Sequence, residues 1–101
     1  MLIVAGTARF ETVADMEQVL SAGQAMIAAT RDEPGCHDYT YARDVTDDRT
    51  MRIFELWEDQ AALDAHFQTP HMAAFNTALA AVKIAAISVK IYDVSGVRDL
   101  L

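Results

Sequence analysis

The chain has 101 residues, 52 % of them apolar, and a formal net charge of −7. That length suits one domain around one core, spanning residues 1–101, and the apolar share excludes intrinsic disorder. Eight Lys and Arg stand scattered among 15 Asp and Glu, which leaves no positive stripe for a nucleic-acid backbone or an anionic membrane surface.

Residues 2–10 open as a strand, β-branched at Ile3 and Val4 and free of proline. From Val13 to Thr30 the period changes. Met16, Val19, Leu20, Gly23, Met26 and Ile27 recur at i, i+3, i+4 and i+7, the signature of one helical face, and Thr12 or Asp15 can cap its start. Pro34 and Gly35 end this helix in a tight turn. Residues 36–45 read as a strand with Tyr39 and Tyr41 on one face, and Asp47-Asp48-Arg49 as a turn. Residues 50–58 form the next strand, with Met51, Ile53, Glu55 and Trp57 on one side and Arg52, Phe54, Leu56 and Glu58 on the other. Asp59 suits the cap of a short helix to about Gln68, whose inner face holds Leu63, His66 and Phe67. Thr69 and Pro70 restart a helix with Met72, Phe75, Leu79 and Val82 inward. The last strand, residues 84–94, sets Ile87, Val89 and Ile91 against Ser88, Lys90 and Tyr92.

The order βαββαβ predicts an α+β fold, a ferredoxin-like plait with one antiparallel sheet and helices on one face. Val4, Ile53, Val89 and Ile91 are assigned to the sheet's other face, which is then too apolar to stay wet. Packing two such faces together predicts a homodimer. Cys36 is the sole cysteine, so no internal disulfide forms, in keeping with a reducing cytoplasm. The first residues lack the basic start of a signal peptide, and no apolar run approaches the ~18 residues of a membrane span. A cytoplasmic protein without nucleic-acid or membrane partners is expected.

Three segments resemble the antibiotic biosynthesis monooxygenase family. Glu33-Pro34-Gly35-Cys36-His37-Asp38-Tyr39 is similar to its E-P-G-C-x-x-Y signature, and Phe54-Glu55-Leu56-Trp57-Glu58-Asp59 to its x-E-x-W-x-(D/N) strand end. Residues 63–75 are similar to its L-x-x-H-x-x-(S/T)-P-H-x-x-x-F stretch, and order and spacing agree along essentially the whole chain. The resemblance implies a dimeric α/β barrel with a cavity between sheet and helices in each subunit. It implies a cofactor-free monooxygenase oxidising a small electron-rich aromatic, of quinol, phenol or anthrone type, to a quinone. An isomerase or lyase on the same fold, or a non-catalytic ligand-binding dimer, are the alternatives. The haem-degrading branch of the family carries an asparagine in the first strand and a tryptophan near the helix pair. Here Ala5-Gly6-Thr7 and Phe67 stand instead, so haem is disfavoured.

His66 is the first candidate for a base, since an imidazole on an apolar face can accept a proton near neutral pH; its alternative is a core histidine bonded to a neighbour. Glu55 is the second catalytic candidate. A carboxylate in mid-strand must be paired or protonated, either to orient His66, to bind a substrate hydroxyl, or in an ion pair with Arg52, Arg43 or a partner subunit. Tyr39, Trp57, Phe67 and Phe75 are the candidate substrate pocket, or else core. On one continuous helix His71 would lie about 140° from His66, which places it at a helix end or an interface. His37, His66 and His71 follow no H-E-x-x-H pattern, C-x-x-C is absent, and so are glycine-rich nucleotide motifs. No metal and no other cofactor is expected.

Overall fold

The computed structural model describes residues 1–101. In chain order the elements are β1 (Leu2–Phe10), α1 (Val13–Arg31), β2 (Cys36–Arg43), β3 (Thr50–Trp57), α2 (Gln60–His66), α3 (Pro70–Ala80) and β4 (Ile84–Asp93). Each helix starts where a short polar side chain satisfies an orphan amide. Thr12 accepts from the Asp15 amide, Asp59 from that of Ala62, and Thr69 from that of Met72 with Pro70 at the first helical position.

The sheet is antiparallel, in the order β2-β3-β1-β4, which is the ferredoxin-like arrangement expected. Its register sorts the side chains. Leu2 faces Trp57, Val4 faces Glu55 and Ala8 faces Met51 across β1 and β3, while Tyr39 faces Glu55 across β2 and β3. Because side chains alternate along a strand, these residues share the face covered by helices. They join Met16, Val19, Met26, Leu63 and Phe75 in the core. Gly6 lies mid-strand with its α-carbon close to β4. A β-carbon there would lie 1.9 Å from the Ser88 carbonyl oxygen.

The expectation for the open face of the sheet needs correction. Val4 pairs with Ile91, and Gly6 with both Ile53 and Val89, so Val4, Ile53, Val89 and Ile91 all lie on the helix side. Val4 is buried and Ile53 half-buried, but the helices pack over β1, β2 and β3 and leave β4 uncovered, so Ile87, Val89 and Ile91 are exposed. The opposite face carries Ile3, Phe54, Leu56 and Tyr92, with Ile3 paired to both Leu56 and Tyr92. No helix is long and apolar enough to cross a membrane.

Candidate functional site

Three backbone segments converge over the β2–β3 half of the sheet. The turn after α1 supplies Glu33, the end of α2 supplies His66, and the first turn of α3 supplies His71. Local bonds fix each one. Gly35 takes φ +81°, the left-handed region that glycine adopts freely, and its carbonyl accepts from the Glu58 amide at 2.8 Å. Arg31 donates to the Tyr39 carbonyl at 3.0 Å, which ties the end of α1 to β2. Thr69 donates its hydroxyl to the His66 carbonyl at 2.7 Å while capping α3, which sets the angle between the two helices.

At the centre, Glu33 Oε2 lies 2.8 Å from His66 Nδ1 and 2.7 Å from His71 Nε2. A carboxylate only accepts, so both imidazoles donate to it. His66 therefore carries its proton on Nδ1, and a neutral ring leaves a lone pair on Nε2. That nitrogen lies 3.4 Å from the Tyr39 hydroxyl, which is itself 2.9 Å from the Tyr41 hydroxyl. The result is a chain from Tyr41 through Tyr39 and His66 to Glu33. It has the logic of a base oriented by a carboxylate, as in the serine-protease triad.

The surroundings are aromatic and dry. Tyr39, Trp57 and His66 are each at most 1 % exposed, and the His66 ring stands 5.0 Å from Trp57 and 5.2 Å from Tyr39. Burial, reinforced by Tyr41 and Glu55, raises the Tyr39 hydroxyl well above the ordinary phenol range, so it stays a donor. Burial likewise pushes Tyr41 up to about 12, against the lowering effect of its bond from Tyr39.

Glu55 sits beside this chain without joining it. Its Oε1 accepts from the Trp57 indole at 2.9 Å. Burial pushes its carboxyl up to about 7; the indole bond opposes this and the nearby Glu33 charge adds to it. Within the chain, Glu55 pairs with none of Arg43, Arg52 and His66. Arg43 pairs with Glu17, Arg52 with Asp44, and it is Glu33 that holds His66. The structure brings together His66, Glu55, Tyr39 and Trp57, and places Phe75 against Tyr41 with ring centres 5.7 Å apart. Phe67 departs from expectation. It is the residue that ends α2, and it is 54 % exposed although its ring touches His66. The expected pocket residues pack on one another. Those four residues line none of the clefts, of which one, of about 410 Å³, runs past Glu33, Gly35, Glu58, Asp59 and Ala62.

Two participants were missed by sequence reasoning. Glu33 reads as part of a turn signature, and a five-residue spacing on one ideal helix points His71 away from His66. The break at residues 67–69 turns His71 back onto Glu33. His37, by contrast, is exposed on β2 and bonds Glu58 at 2.5 Å.

The model for antibiotic biosynthesis monooxygenases matches residues 1–78. The Synechocystis protein sll1783, of undescribed function, is 34 % identical over 84 residues, covering 83 % of this chain and 57 % of its own length. YcnE of Bacillus subtilis, named as a candidate monooxygenase, is 32 % identical over 59 residues, covering 58 % of this chain and 62 % of its own. The chain thus spans less than two thirds of the length of these curated relatives. A solved structure from Nitrosomonas europaea, named as a candidate antibiotic biosynthesis monooxygenase, superposes with a TM-score of 0.86 at 18 % identity. It covers 95 % of this chain and 100 % of its own, a likeness of fold. With residues 1–78 matched by that family's pattern, the chain belongs to the antibiotic biosynthesis monooxygenase family.

Proposed function

We propose that this protein is a monooxygenase in which His66 is the base and a small electron-rich aromatic, of quinol, phenol or anthrone type, is oxidised to a quinone without a cofactor. The observation that carries this reading is the Glu33–His66 pair, which leaves Nε2 as a lone pair inside an aromatic, water-poor core. His66 takes a proton from the substrate through the Tyr39 hydroxyl, and Glu33 stabilises the imidazolium. The substrate anion passes one electron to dioxygen, giving a substrate radical and superoxide, which combine into a peroxide. The imidazolium returns its proton as the O–O bond breaks. The carbon that bears the peroxide loses its own hydrogen in the same step, so the outer oxygen leaves as water with these two protons, and the inner oxygen remains as the quinone carbonyl. Trp57 packs against the His66 ring and Phe75 against Tyr41, which holds the base and its tyrosine partners in place.

Two copies pack through the face bearing Ile3, Phe54, Leu56 and Tyr92, which makes a sheet-to-sheet homodimer. Support comes from the exposure of Phe54 and Tyr92 on an otherwise helix-free face.

Oxygen uptake by chelator-treated protein, with a panel of hydroquinones, naphthalenediols and anthrones, tests the function. Uptake above autoxidation, reduced on the order of 10²–10⁴-fold in His66→Ala, is the expected result. A Glu55 carboxyl poised at about 7, bonded to the Trp57 indole that packs on His66, also suits an isomerase, which moves protons and needs no oxidant. Turnover that continues without oxygen would establish that second reading.

A further inference from the structure

We propose that Glu33, His66 and His71 form a binding site for one divalent transition-metal ion of the zinc type, and that an ion held there takes His66 out of use as a base. Two imidazole nitrogens and a carboxylate oxygen are a donor set suited to such ions, with further positions left for water. Here His66 Nδ1, His71 Nε2 and a Glu33 oxygen all lie within 4.8 Å of one another. Bonds of about 2.0–2.2 Å to one tetrahedral ion set its donor atoms roughly 3.4 Å apart. The two carboxylate contacts, 2.8 and 2.7 Å, open by about 0.6 Å, and the two imidazole nitrogens settle to the same separation from within 4.8 Å.

The site is assembled before any ion arrives, because the two hydrogen bonds to Glu33 already gather ligands from three separate elements. His66 is buried, whereas the side chains of Glu33 and His71 keep 11 % and 23 % of their exposure. Glu33 also lines the cleft that runs past Gly35 and Glu58, so one of the three ligands borders open space. The far nitrogen of His66 also has a partner, the Tyr39 hydroxyl at 3.4 Å, as metal-bound histidines usually do. The third histidine, His37, is paired with Glu58 outside this cluster.

The effect on the base follows from proton counting. A neutral imidazole has one proton. With Glu33 as its partner, His66 keeps that proton on Nδ1 and offers Nε2 as an acceptor. An ion on Nδ1 moves the proton to Nε2, which becomes a donor to the Tyr39 oxygen and has no lone pair left. This second half rests on the reading of His66 as the base; the binding site does not.

The test is a calorimetric titration of the chelator-stripped full chain with ZnCl₂, with CoCl₂ in parallel to read the visible bands of bound cobalt. Expected are one ion per chain, and affinity lowered about tenfold or more in Glu33→Ala and in His71→Ala, with folding of both checked by circular dichroism. His37→Ala binds as the parent does. The absence of saturable binding overturns the site, as does parental affinity in both ligand variants or loss of binding in His37→Ala. Zinc is then added to the oxygen-uptake assay. A rate that falls in step with occupancy supports the silencing, and a rate unchanged or raised at full occupancy overturns it. A chain that shows no oxygen uptake on any substrate refutes the proposed oxygenase, while the calorimetry still decides the metal site.

Discussion

Replacing Glu55 with glutamine should make the protein less sensitive to rising pH. Glu55 is 7 % exposed, and its one bond, from the Trp57 indole, can be accepted equally by a glutamine oxygen. Its folded carboxyl sits at about 7 against an ordinary 4.5, and that gap corresponds to about 3 kcal/mol. The sign follows from proton binding. Below the ordinary value both the folded and the unfolded chain hold the proton, and the contribution to stability is complete. As pH rises, the unfolded chain releases its proton first while the folded chain retains it, so stability falls until pH passes about 7. Glu55→Gln has no proton to release at this position. Urea unfolding followed by the fluorescence of Trp57, the sole tryptophan, measures the difference at one fixed protein concentration. Between about pH 4.5 and pH 8 the variant should gain roughly 3 kcal/mol relative to the parent. Parallel pH profiles for the two proteins would refute the claim that burial holds this carboxyl protonated.

Three further outcomes are expected. Phe75→Ala removes a ring that is 3 % exposed and packs on Tyr41 and near Gly23, so a loss of about 3–5 kcal/mol should appear in urea unfolding. Gly6→Ala places a methyl group 1.9 Å from the Ser88 carbonyl oxygen and 2.7 Å from the Val89 α-carbon, both backbone atoms of β4. Faster hydrogen exchange of the β1 and β4 amides should report the forced separation, with β2–β3 protection retained. Phe54→Asp puts a charge on the helix-free face beside Ala5, and sedimentation should show a monomer where the parent chain is a dimer; a parent that sediments as a monomer removes the face-to-face pairing.

The sequence made the elements legible because their signals are local. Thr12, Asp59 and Thr69 each cap the helix that follows, and the strand alternations hold to within two residues at their ends. The coverage of the sheet was not legible. The alternation in β4 separates Ile87, Val89 and Ile91 from Ser88 and Lys90, yet it does not state which side the helices cover or how far they extend. The site divides the same way. His66, Glu55, Tyr39 and Trp57 announce themselves as polar or aromatic residues at inward positions. The two bonds that organise them join Glu33 to residues 33 and 38 positions later, and together they depend on the angle between α2 and α3. Helical periodicity assumes one axis and cannot report a change of axis. For the same reason the spacing of the histidines concealed the three-ligand cluster.

The proposed reaction depends on which nitrogen of His66 is free. Nitrogen-15 chemical shifts of the imidazoles, recorded on metal-free protein near neutral pH, measure this directly. The predicted spectrum shows His66 protonated at Nδ1 and unprotonated at Nε2, with that preference weakened in Glu33→Ala. A proton found on Nε2 in the parent protein would contradict the account, since the nitrogen beside Tyr39 would then have no lone pair with which to accept a substrate proton.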